Sequence, residues 1–334
     1  LWSNPENWDV PAGGVAPGLG ETATFSSSAT VDLESGIQIK TLYLGNNAEL
    51  DLGGGELALV SGNNLILEST SDTSSRISNG VLKIAGSNSV IKIAAGDLVI
   101  DAVLSGGAAN QFVRFVTGTP GSIIKLNGAN TYSGLIRIMD KVLVVREFNQ
   151  SGTPGNIGTF ARVGLGYNTS TPAIQYLGSG ETTDRAIDFQ GGKGTVTVEH
   201  AGSGRLKFTG DNLVTGAGSK VIRLVAAEGA IGEFSGALPN NSASNTTAVT
   251  KAGAGDWVLS GSNAYTGATV VESGGLYVDG TLSSASPVTV ASGALIGGTA
   301  LLSSQLQLEG VLAPGSIEAP GTFTLGAGAT FGDA

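Results

Sequence analysis

Apolar and polar positions alternate along most of the chain, in runs too short to be helices. "ATVDL" (29–33), "IQIKTLYLG" (37–45), "AELDLGG" (48–54), "NLILES" (64–69), "VLKIAG" (81–86), "SVIKIAAG" (89–96) and "DLVIDAVLSG" (97–106) follow one another with little between them. Each is rich in Ile, Val and Leu and bounded by Gly, Asn or Ser. A period of two within short runs closed by turn residues predicts β-strands. No window repeats apolar residues at the three-and-four spacing of a capped helix, so none is predicted.

Many short strands fit either a sandwich or a solenoid, and internal repetition decides between them. Asn130, Tyr132 and Gly134 recur as Asn263, Tyr265 and Gly267, each 133 positions on, and "LKFTGDNLVTGAGSKVIRL" (206–224) is a weaker third copy. Self-similarity along the chain predicts stacked units. The expected fold is all-β: a right-handed parallel β-helix running as one continuous solenoid over 1–334. Residues 1–25 would form an N-terminal cap, 126–138 and 251–282 the repeat motifs, and 288–331 the C-terminal coils. A coil of roughly 22 residues gives about 15 coils. Leu42 and Leu44, Leu50 and Leu52, Leu57 and Leu59, and Leu65 and Leu67 are two apart. They share one strand face and are predicted to stack as the core. Gly-rich corners at 53–55 and 273–275 allow positive φ, and Asn tolerates the same region.

Composition narrows the function. Of 334 residues, 53 are Gly and only 13% are charged, yet 41% are hydrophobic, so a large core is available and disorder is not expected. Net charge is −10, which argues against nucleic acid as a partner. The chain holds no Cys and only His200, so no zinc, haem or iron–sulfur cofactor is expected. A Cys-free chain fits export without disulfides. No apolar run is long enough for a membrane-spanning helix. The chain opens "LWSNPENW", so the signal peptide of an exported form is expected either to have been removed or to lie outside these residues.

"KAGAGDWVLSGSNAYTGATVVESGGLYVDGTL" (251–282) resembles the autotransporter-associated β-strand repeat, through Lys251, Gly253, Gly255, Trp257, Leu259, Gly261, Asn263, Tyr265, Gly267, Thr269 and Val270. Residues 288–325, with Ala313-Pro314-Gly315 and Pro320-Gly321-Thr322, are similar to the segment that follows such a repeat. Trp2, Asn7 and Trp8, Pro17-Gly18 and "ETATF" (21–25) look like the opening of such passengers. The copy at 126–138 departs from the pattern, with Leu135 where Thr is usual and no Trp before it. The resemblance implies an exported β-solenoid of verrucomicrobial or planctomycete type, at the cell surface or released from it. It implies no single activity. The translocator segment usual in this family lies outside residues 1–334 and is expected either in a longer chain or to have been cleaved.

Candidate chemistry is sparse. His200 has no second His or Cys beside it in the sequence and reads as a surface or turn residue. Trp2 and Trp8 read as a cap on the first coil, with sugar stacking the sharper alternative. Tyr132 and Tyr265 read as rings over coil corners with bonded hydroxyls, rather than a binding ladder. Glycan cleavage needs two carboxylates facing one bond; Asp184 with Asp188, beside Arg185, and Glu228 with Glu233 are the pairs to inspect. "DRAIDF" (184–189) also reads as a strand edge with solvated charges. The calcium-binding glycine–aspartate tract is absent, and Asn245-Thr246-Thr247 matches a glycosylation sequon that is common by chance. The expected function is a secreted or surface rod, adhesin or fibre subunit with no catalytic residues. Its partners would be itself, end to end through Trp2, Trp8, Phe323 and Phe331, and surface glycans. A carbohydrate-active enzyme or carbohydrate-binding module on the same fold is the alternative.

Overall fold

The computed structural model describes residues 16–19, 21–31, 33, 36–45, 47–60, 65–69, 73–118, 121–139, 141–168, 171–191, 194–326 and 328–332. The chain divides into two compact units, one of 1–145 with 152–160 and one of 146–151 with 161–334. Each is a β-solenoid: strands that recur once per coil pair in parallel with their counterparts in the coils before and after.

In the first unit one sheet is built from Thr22–Phe25, Thr41–Leu44, Leu65–Ser69, Asn88–Ile93, Phe112–Thr117 and Leu135–Ile138. Its inward column is Ala23, Leu42, Leu67, Ile91, Phe115 and Ile138, joined by direct register partnership. A second sheet runs through Ala29–Thr30, Glu49–Asp51, Ser74–Ser78, Asp97–Ile100, Ile123–Leu126 and Lys141–Val145. A third stacks Gln38–Ile39, Glu56–Leu59, Val81–Ile84 and Val103–Gly106. Leu42, Leu44, Leu50, Leu52, Leu57, Leu59 and Leu67 are all fully buried, as the two-residue spacing required. Each such leucine contributes about 1.5–3 kcal/mol.

In the second unit the longest sheet is Pro172–Tyr176, Gly194–His200, Lys220–Ala226, Thr247–Ala252, Thr269–Val271, Val288–Val290, Leu306–Leu308 and Ala329–Phe331. Beside it run Glu181–Thr183, Gly204–Phe208, Ala230–Phe234, Asp256–Leu259, Gly275–Val278, Leu295–Gly298 and Val311–Pro314. A third face holds Arg162–Asn168, Ala186–Gly191 and Leu213–Val214, and in the later coils only two-residue strands pair outside the two long sheets, Ser262–Asn263 with Thr281–Leu282 and Leu301–Leu302 with Thr324–Leu325. An aromatic stack fills the interior, with centroids 5.0 Å apart from Phe148 to Phe208, 5.5 Å from Phe208 to Phe234 and 5.0 Å from Phe234 to Trp257.

The single period of about 22 residues does not hold. One coil separates Leu104 from Asn130 by 26 residues and Glu233 from Ser260 by 27, but Asp279 from Thr299 by 20 and Gly267 from Ser286 by 19. Longer coils carry a longer extra strand, such as Phe112–Thr117 or Ala186–Gly191, or the 239–246 loop, whereas the shorter ones keep only a two-residue strand such as Thr281–Leu282.

Glycines stack at one corner of the second unit. A Cβ on Gly236, Gly261 or Gly280 would strike the carbonyl oxygen of the glycine one coil earlier, namely Gly210, Gly236 and Gly261. These positions demand glycine through close backbone approach, not through positive φ.

Candidate functional site

The motif residues of 251–282 are consumed in joining coils. Lys251 occupies the inward column between Leu224 and Val271 and is fully buried. Its ammonium donates to the carbonyls of Ala252 (2.8 Å), Gly253 (3.0 Å) and Ser273 (2.9 Å). Three acceptors satisfy the three donors of a lysine. Burial nonetheless pushes its pKa down to about 8, against the pull of Asp256. Trp257 is fully buried and donates Nε1–H to Val225 O at 3.1 Å. Asn263 Nδ2 donates to Gly261 O and Thr281 O, both at 3.0 Å. The Tyr265 hydroxyl lies 2.7 Å from Thr269 Oγ1, which lies 3.0 Å from Ser286 Oγ, which donates to Gly267 O.

The earlier copy does the same with different partners. Asn130 Oδ1 accepts from Leu104 N at 2.7 Å while its Nδ2 donates to Asn156 O at 2.6 Å, so one amide bridges two coils. Tyr132 is buried against Gly107 and Gly134, but its hydroxyl has no hydrogen-bond partner, and burial pushes its pKa up to about 12. That corrects the expectation of two bonded tyrosines. Counted from the tyrosine, the place of Thr269 is taken by Ile136, one beyond the Leu135 singled out in the sequence.

His200 is not a surface residue. It is fully buried, its ring lies edge-on to Tyr176 at 5.2 Å, and Nε2 sits 3.0 Å from Gly204 O. Burial lowers its pKa and keeps the imidazole neutral. Arg185 is likewise no solvated edge charge. It is fully buried and donates to Asn149 O (3.0 Å) and Gln150 O (3.1 Å). Glu181 accepts from the amides of Phe148 and Asn149, and Asp184 from the amide and hydroxyl of Ser151. Burial opposes it, but the Ser151 bonds hold the Asp184 carboxyl below its ordinary range. These three side chains clamp the segment 148–151.

The carboxylate pairs do not converge on a bond. Asp184 precedes its strand and faces Ser151, whereas Asp188 is buried and accepts from Thr215 Oγ1 and Gln190 Nε2, both at 2.6 Å. Glu228 is exposed at a turn, while Glu233 is buried and binds Lys207 at 2.9 Å and Ser260 Oγ at 2.6 Å. A polar groove of about 260 Å³ lies in the first unit, lined by Ser28, Ala29, Thr30, Glu49, Asp51 and Ser78, and includes none of these pairs. Among the described residues, no group of three or more His, Asp or Glu is placed to hold a metal ion, and no helix is long and apolar enough to cross a membrane.

Phe323 is buried, Phe331 is 63% exposed, and Trp2 and Trp8 lie outside the described residues. The sequence reading missed a cationic cluster in the first unit, where Arg137 and Arg114 lie over the Phe112 ring at 4.4 and 5.8 Å from its centroid. The signal was present, since "FVRF" (112–115) and "LIRI" (135–138) carry Arg in the same phase.

Comparison with known proteins agrees with this picture. Residues 249–278 match the passenger-associated-transport-repeat family. The adhesin BmaC autotransporter of Brucella suis biovar 1 (strain 1330) is 27% identical over 274 residues, covering 81% of this chain. The chain spans 7% of the length of that relative. No solved structure matches. The chain is thus similar to autotransporter passengers and carries their transport-associated repeat.

Proposed function

We propose that this chain is part of an exported, non-catalytic passenger that works at the cell surface or outside the cell as an adhesive or structural solenoid. One observation carries the reading. The buried polar groups that would be candidates for chemistry, Lys251, Arg185, His200, Asp188 and Glu233, are engaged by backbone or neighbouring side chains within the coils. The regular outward faces of the sheets are left as the surface for contact. The similarity to a relative named as an adhesin points the same way. Attachment supplies the test: beads coated with the purified chain are counted on cultured epithelial cells, against beads coated with heat-unfolded chain or albumin. Retention of the native-coated beads alone is expected. Equal counts on all three would refute the adhesive reading.

A further inference from the structure

We propose that the outward face formed by Asn88–Ile93, Phe112–Thr117 and Leu135–Ile138 binds the anionic groups of an acidic polysaccharide. Arg114 and Arg137 are direct register partners on adjacent parallel strands. They alternate with the buried Val113, Phe115, Ile136 and Ile138, so both point outward. Both guanidinium groups lie over the ring of Phe112, at 5.8 and 4.4 Å from its centroid. Arg114 also donates to Asn88 O at 3.4 Å, which is a long bond.

Like charges directly across neighbouring strands repel, and this chain has 27 acidic against 17 basic residues. Yet Arg114 has Val90 on one side in the register and Arg137 on the other. Lys92 adds a third cation. Its partner, Glu68, lies on the adjoining strand at 2.7 Å, and the lysine side chain keeps 41% of its exposure. The aromatic ring draws the two guanidinium groups to one place before any ligand arrives, Arg137 at the closer distance. Guanidinium forks match carboxylate and sulfate geometry in pairs of hydrogen bonds. Successive strands lie about 4.8 Å apart; Arg114 and Arg137 share one column, and Lys92, the register partner of Val116, stands two residues further along its strand, so the cations form a staggered patch across three strands. A patch spread over three strands suits an extended polyanion better than a single small anion. Sulfated and uronate polymers share this chemistry.

The inference deepens the adhesive reading and rests on it only for where such a polymer is met. The experiment measures binding of the purified chain to heparin, to polygalacturonate and to neutral dextran, over a range of salt. Both acidic polymers, or one of them, are expected to bind with an affinity that falls as salt rises, and dextran is expected not to bind. The double substitution Arg114→Gln with Arg137→Gln should weaken binding by about tenfold or more. Arg223→Gln, which removes a cation paired with Glu272 in the other unit, should leave it unchanged. If circular dichroism finds the double variant unfolded, Arg137→Lys is used; it keeps the charge but loses the fork, and severalfold weaker binding is expected. Affinity unchanged by these arginine substitutions overturns the proposal, as does binding confined to single-stranded DNA or phosphatidylserine vesicles. Polysaccharide binding without cell attachment would sink the adhesive reading alone, and attachment without polysaccharide binding would sink this one alone.

Discussion

At the residue scale the two tyrosines of the repeated motif separate packing from hydrogen bonding. Tyr265 is buried with its hydroxyl in a chain through Thr269 and Ser286. Tyr132 is buried with its hydroxyl unpartnered, because Ile136 stands at the position of Thr269. Phenylalanine keeps the ring in both places. Tyr265→Phe is expected to cost about 1 kcal/mol, since it removes a bond and leaves the ring packed. Tyr132→Phe is expected to be neutral or to stabilise by up to about 1–2 kcal/mol, because it deletes a buried hydroxyl that no group satisfies. Urea unfolding midpoints of the two variants measure this directly, and equal losses in both would contradict the assignment of partners. The sequence placed both rings at coil corners but missed this difference. Similarity of Asn, Tyr and Gly was visible; the partner four residues beyond the tyrosine is seen as a partner only when the coils are stacked.

At the scale of the element, a strand reads as alternating faces, and that reading misplaces ionisable groups. The strand Thr247–Ala252 puts Lys251 into an aliphatic column. The alternation correctly puts Lys251 in phase with Val249, and only the assumption that a charge faces water fails. Three backbone carbonyls at the adjoining turns replace that water. The same assumption put His200 and Arg185 at the surface. Because the folded pKa of Lys251 is about 8 and the unfolded value is about 10.4, the unfolded state binds more protons between the two. Stability from this group is therefore lowest below pH 8 and rises through the window. Lys251→Met removes the titration. The stability of the wild type relative to this variant is expected to grow as pH rises from about 7.5 to about 9.5, by up to about 1.4 kcal/mol per unit at the steepest. Tyr132 and Tyr265 titrate in the folded state only above this window. Urea unfolding at stepped pH reads the difference, and a flat difference would mean that the lysine is not desolvated as its three carbonyls and apolar neighbours imply.

At the scale of the molecule, each coil is held chiefly by the coils next to it, so damage is expected to spread by one neighbour and then stop. The fold class was legible because alternation, Gly-bounded runs and the 133-residue echo survive in a linear sequence. Coil length was not, because the 239–246 loop and the longer third-face strands add residues to a coil without disturbing the inward columns. Those columns, rather than a constant period, keep the register. The second unit tests the idea, since Trp257 joins the aromatic stack at Phe234 and pairs in register with Gly232 and Leu276. Trp257→Ala is expected to cost about 3–5 kcal/mol locally, as large-to-small core substitutions do. Amide exchange should then speed up by about 100-fold or more in Ala230–Phe234 and Gly275–Val278, the strands on either side. Leu306–Leu308, further along the same unit, should keep its protection, because the strands Thr269–Val271 and Val288–Val290 stand between it and Thr247–Ala252, the strand that leads into Trp257. Uniform loss across the unit would mean that it unfolds as one cooperative body and that nearest-neighbour coupling does not describe it. Loss confined to the two flanking strands would place the stability of this solenoid in each coil and its two interfaces, and would explain how coils of 19 and 27 residues coexist in one chain.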